Sequence, residues 1–152
     1  MKKLIFCFGI LLGTISCSNS QATSDNSSKM NDFEILYQSE YGGSGEEKTE
    51  IFTDEESFAK IWDEMINVYS ESSEIPQVDF NKKMVVAQHF QSRNSGGTEY
   101  EIQSVKQTGD KLEVLYKATA PEGMATMAIT NPLMIIVVNK MQNPVVEFKA
   151  EN

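Results

Sequence analysis

One histidine, His89, is the only imidazole the chain can offer as a base near neutral pH, and Ser95, in the loop that follows it, is the serine it could activate. A Ser-His pair of this kind would attack an acyl group. The residues around the serine, Asn94-Ser95-Gly96-Gly97, lack the first glycine of the GxSxG elbow, so nucleophile and base could meet only through tertiary placement. A lone histidine near a strand end is more often a packed structural residue. Without a second histidine a zinc site would rest on carboxylates, and neither HExxH spacing nor a calcium-loop spacing arranges them. Gly42-Gly43-Ser44-Gly45 could be taken for a phosphate loop, but it has no following Lys-Ser or Lys-Thr and no GxGxxG spacing. No catalytic residue, metal or cofactor is therefore assigned, and a hydrolase using Ser95 and His89 stays as one alternative.

The cysteines point to an address instead. Lys2-Lys3, an apolar run from Leu4 to Leu12 and the small residues before Cys17 follow the plan of a secretory signal, and the run is too short to span a bilayer. Ser16-Cys17 followed by Ser18-Asn19-Ser20 resembles a bacterial lipoprotein signal, although Thr14 stands where that class mostly has leucine. The resemblance implies cleavage after residue 16, lipidation of Cys17, and attachment to the bacterial cell envelope, expected at the outer membrane. With Cys7 in the removed segment and Cys17 acylated, the mature chain has no internal disulfide and no thiolate for catalysis or metal binding. Residues 17–32, rich in Ser, Asn, Thr and Asp, carry no apolar period and read as a flexible tether. A single domain over 33–152 remains.

The formal charge of the 152-residue chain is −9, and losing Lys2 and Lys3 makes it more negative. Such a surface repels nucleic acid, and the remaining lysines form no basic run, so nucleic-acid binding is set aside.

Alternation defines most of the domain. Phe33, Ile35 and Tyr37 alternate, Thr49 to Phe52 resumes an extended pattern, and the two are expected to pair as a hairpin across Gly42–Gly45. Thr53 and Glu56 have capping-box spacing, and Phe58, Ile61, Trp62, Met65, Ile66 and Tyr69 recur every three or four residues, which predicts an amphipathic helix with Trp62 as its anchor. Met84-Val85-Val86-Ala87 reads as a central strand, and Leu133 to Val138 as a strand covered on both faces. Tyr100 and Ile102 share a phase that Val105 leaves, predicting a bulge near Gln103 or Ser104, and Thr108-Gly109-Asp110-Lys111 makes a hairpin turn. The sum is an α+β domain, one amphipathic helix packed on a mostly antiparallel β-sheet.

Trp62, Val78-Asp79-Phe80, Met84-Val85-Val86, Ser95-Gly96-Gly97, Tyr100-x-Ile102-x-x-Val105, Leu112-x-Val114, Pro121 and Thr130-x-Pro132 together resemble the C-terminal domain family named for PrcB, an accessory lipoprotein of a bacterial secreted protease complex. That family often has aromatics directly after the paired glycines and after the proline, where this chain has Thr98 and Leu133. The resemblance implies a non-catalytic, envelope-anchored subunit that binds and stabilises a protein partner, a secreted protease being the implied one. The residues expected to meet that partner are Arg93, Asn94, Ser95, Gly96 and Gly97 of the glycine loop, with Met124 and Met127 of the connection from Pro121 to Asn131. Replacing Arg93 and Met127 with alanine is expected to weaken capture without changing the melting temperature. An envelope module for a small molecule or peptide, built around an enclosed apolar pocket, is the other alternative.

Overall fold

The computed structural model describes residues 29–66, 74–123 and 126–151. The leader, Cys17, most of the tether, Tyr69 and Met124 lie outside these residues. Nine elements follow in order: β1 (Lys29–Met30), β2 (Phe33–Ser39), β3 (Lys48–Phe52), α1 (Glu55–Met65), β4 (Lys83–His89), β5 (Glu99–Thr108), β6 (Lys111–Thr119), β7 (Leu133–Asn139) and β8 (Val145–Ala150).

The strands form two four-stranded sheets, β2-β7-β4-β3 and β1-β5-β6-β8, where one sheet was expected. Side chains alternate across a strand, so β4 and β7 feed two cores. Met84, Val86, Met134, Ile136 and Val138 pack between the sheets with Val105, Leu112 and Val114. Val85, Ala87, Leu133, Ile135 and Val137 point the other way, onto Phe58, Trp62, Met65 and Ile66. The central sheet is thus enclosed by α1 on one face and the second sheet on the other. This is the physical reason for the unbroken apolar runs in β4 and β7.

Helix α1 forms as its periodicity demands, with one change at the start. Asp54, not Thr53, is the N-cap, its carboxylate accepting the Ser57 N–H at 2.9 Å. Those hydrogen bonds from Ser57 hold the Asp54 carboxyl below its ordinary pKa. Glu55 and Glu56 occupy the first turn, at the positive end of the helix dipole. Trp62 is 3% exposed, with ring centroids of Phe58 and Tyr37 at 5.6 and 6.0 Å.

Strands β2 and β3 do not pair as a hairpin. They occupy opposite edges of the central sheet, β2 against β7 and β3 against β4. Alternation identified both strands but carries no information about which neighbour each one takes. The bulge in β5 falls where expected, with the register slipping between Ile102 and Ser104, and β2 has a second one between Ile35 and Tyr37. Strand β8 lies parallel to β6, the one parallel pairing among the described strands, whose other neighbours are antiparallel. The sheet also takes in residues ahead of Phe33. Lys29–Met30 pair with β5, and Asn31 is buried, its amide bonded to Gln107 and Asn139. Among the described residues no helix is long and apolar enough to cross a membrane.

Candidate functional site

Three connections meet at one end of the molecule: the turn after β2, the loop from Phe90 to Thr98, and the segment from Pro121 to Pro132. Backbone hydrogen bonds lock them together. Arg93 and Thr130 exchange N–H···O bonds in both directions at 2.9 Å, Gly43 N donates to Asn131 O at 2.8 Å, and Ser92 N donates to Gly45 O at 3.0 Å. Phe90 N donates to Pro132 O at 3.0 Å, and Gly96 N to Thr126 O at 3.2 Å. The Glu40 carboxylate accepts the Gly97 N–H.

Glycine is required where these backbones approach. A Cβ at Gly43 would sit 2.5 Å from Pro132 O and 2.7 Å from Asn131 O. At Gly97 the backbone adopts φ +87°, a conformation that strains any side chain, with Pro121 alongside. Gly96 is buried, and a Cβ there would sit 2.7 Å from the Thr126 hydroxyl and 3.2 Å from the Glu40 carboxylate.

Of the residues expected to meet a partner, Arg93 to Gly97 and Met127 are described and lie on segments that meet at this end, while Met124 is outside the described residues; they differ in exposure. Asn94 is exposed and Ser95 half-buried, its carbonyl reached by the Thr130 hydroxyl at 3.4 Å. Met127 is fully exposed, and Ile129 is 73% exposed. Ile129, not among the residues expected from sequence, is two places on from Met127 in the same phase, the signal that could have identified it. Arg93 is exposed, but its guanidinium is engaged. Its Nε donates to the Tyr100 hydroxyl at 2.9 Å and its guanidinium lies 5.9 Å from that ring's centroid. Tyr100 in turn stacks on Phe90 at 4.1 Å, and Tyr116 meets Phe90 edge-on at 5.1 Å. Burial of Tyr116 pushes its hydroxyl pKa up. Arg93→Ala would remove a hydrogen-bond partner of the Tyr100 hydroxyl, so a lowered melting temperature is expected there and an unchanged one for Met127→Ala.

His89 and Ser95 are not brought together. His89 shares the helix-facing phase of Val85 and Ala87, and both ring nitrogens already have partners. Nδ1 accepts the Ser44 N–H at 2.9 Å, which leaves the proton on Nε2, donated to Glu50 at 2.8 Å. The imidazole is 2% exposed and clamps the glycine turn to β3 and β4. Burial lowers its pKa, outweighing the raising effect of the Glu50 hydrogen bond. An unfolded histidine binds protons more readily than this one, so its contribution to stability is present above about pH 6.5 and is lost as pH falls toward its depressed folded value. Unfolding free energy measured by denaturant titration should decline as pH falls below about 6.5, and His89→Gln should flatten that decline. A wild-type profile that is level across this window would contradict the clamp.

Among the described residues no group of three His, Cys, Asp or Glu side chains could hold a metal. No family model matches the chain, and no curated protein or solved structure matches it either.

Proposed function

We propose that the protein is a non-catalytic, PrcB-like binding subunit, lipid-anchored in the bacterial envelope through Cys17, that captures and stabilises a protein partner at its loop end, a secreted protease being the partner we favour. The observation that carries this reading is the exposure of Met127 and Ile129 on a segment that backbone hydrogen bonds hold rigidly against Arg93. Large apolar side chains presented on a pre-ordered loop lose little entropy on docking, and methionine adapts to the shape it meets. The clefts at this end, about 330 Å³ beside Glu40, Gly97 and Tyr100 and about 190 Å³ beside Arg93 and Tyr116, are open to solvent and rich in polar lining residues. They are unlike the enclosed, mostly apolar cavity of a small-molecule site, which favours a surface contact.

Affinity capture of the tethered protein from cell envelopes tests the reading. Co-purification of a protease supports it. Met127→Glu, which places a charge where apolar contact is proposed, should weaken that capture by about tenfold or more with the melting temperature unchanged. Capture indifferent to Met127→Glu and to Ile129→Glu would remove this rim from consideration.

A further inference from the structure

The outer edge of β8 is a ladder with no neighbour among the described strands, since the second sheet ends there. Val145 N donates to Asp110 O at 2.8 Å and Glu151 N to Tyr116 O at 2.7 Å, so the odd-numbered residues direct their backbone groups at β6. By the two-residue period of a strand, Val146, Phe148 and Ala150 direct theirs outward. The side chains of Val146 and Phe148 are only partly buried, at the open margin of the core between the sheets. Val145 is 56% exposed.

We infer that β8 pairs with β8 of a second copy of this chain, antiparallel about a two-fold axis at Phe148, joining two four-stranded sheets into one of eight strands. Three features of the edge select this occupant and this register. First, a two-fold axis through Phe148 sets Phe148 opposite itself and Val146 opposite Ala150, so the three outward-directed residues supply hydrogen-bonded pairs. Second, the same register sets Glu147 opposite Lys149 on the solvent face, twice, once on each side of the axis. Third, it is singled out by charge: centring the pairing on Glu147 or on Lys149 sets like charge against like. Within one chain Glu147 already binds Lys111 at 2.9 Å and Lys149 binds Glu113, so the two copies would continue an existing charged ladder across the join. The half-buried Val146 and Phe148 would gain cover from their counterparts.

Sedimentation equilibrium of the full chain in detergent tests the inference. The expected species has twice the 17.0 kDa chain mass. Glu147→Lys and Lys149→Glu each create two like-charge pairs across the axis, and each should weaken association about tenfold. The double variant E147K/K149E restores opposite charges between copies and should recover it, since the exposed pairs it disturbs within a chain contribute little. Ala150→Pro removes an outward N–H donor from an edge position that tolerates proline, and should weaken association without moving the melting temperature. Association through the apolar leader would ignore all of these changes. A monomer at every concentration, a dimer insensitive to the single substitutions, or a double variant as weak as the singles would each overturn the inference.

Discussion

Replacing Trp62 with alanine is expected to destabilise the domain by about 3–5 kcal/mol, a large part of the stability of a chain this size. The indole lies between the helix and the central sheet, 3% exposed, with Phe58 and Tyr37 against its ring. Removing it leaves a cavity walled by strand residues such as Val85 and Ile135 that hydrogen bonding holds in place, so collapse around the gap is limited. Detaching α1 would also expose the whole helix-facing layer of the sheet. Denaturant unfolding at neutral pH provides the measurement. A loss below about 1 kcal/mol would mean that the helix is not seated on the sheet as described, because truncation of a well-packed tryptophan does not cost so little.

The second large effect is expected at Gly43. Gly43→Ala adds a methyl group into two backbone carbonyls, Pro132 O and Asn131 O, neither of which can rotate away as a side chain could. Overpacking of this kind costs about 1–3 kcal/mol, and the larger part of that range is expected here because the Gly43–Asn131 hydrogen bond must open as well. Partner capture should fall with it, since the turn helps fix the segment bearing Met127. Gly109 supplies a control. It has φ +60° in an open turn with nothing within 4 Å, and asparagine tolerates that backbone, so Gly109→Asn should change stability little. Equal losses at the two positions would show that turn flexibility, not the close approach to Asn131 and Pro132, governs the effect.

Much of the fold was legible because burial writes a period into the chain. The stripe from Phe58 to Ile66 gave α1, the unbroken run in β7 gave a doubly covered strand, and the phase slip before Val105 gave the bulge. Partnership was not legible. The alternation in β2 and β3 is the same whether they pair with each other or with β7 and β4, and only the tertiary assembly decides. The second sheet was hidden for a related reason: Leu112 and Val114 announce a buried face but not whether a helix or another sheet covers it. The meeting of the glycine loop with the segment bearing Met127 was anticipated from the sequence. The engagement of Arg93 was not, because its hydrogen bond to Tyr100 depends on a contact no local pattern encodes.

Strand β7 lies between β2 and β4, so residues 133–139 must be inserted between segments that precede them by about 45 and 95 positions. The central layer therefore lacks one of its two inner strands until residues 133–139 have left the ribosome. Strand β2 has no sheet neighbour among the described strands before then, so this layer closes only once that late segment has been delivered.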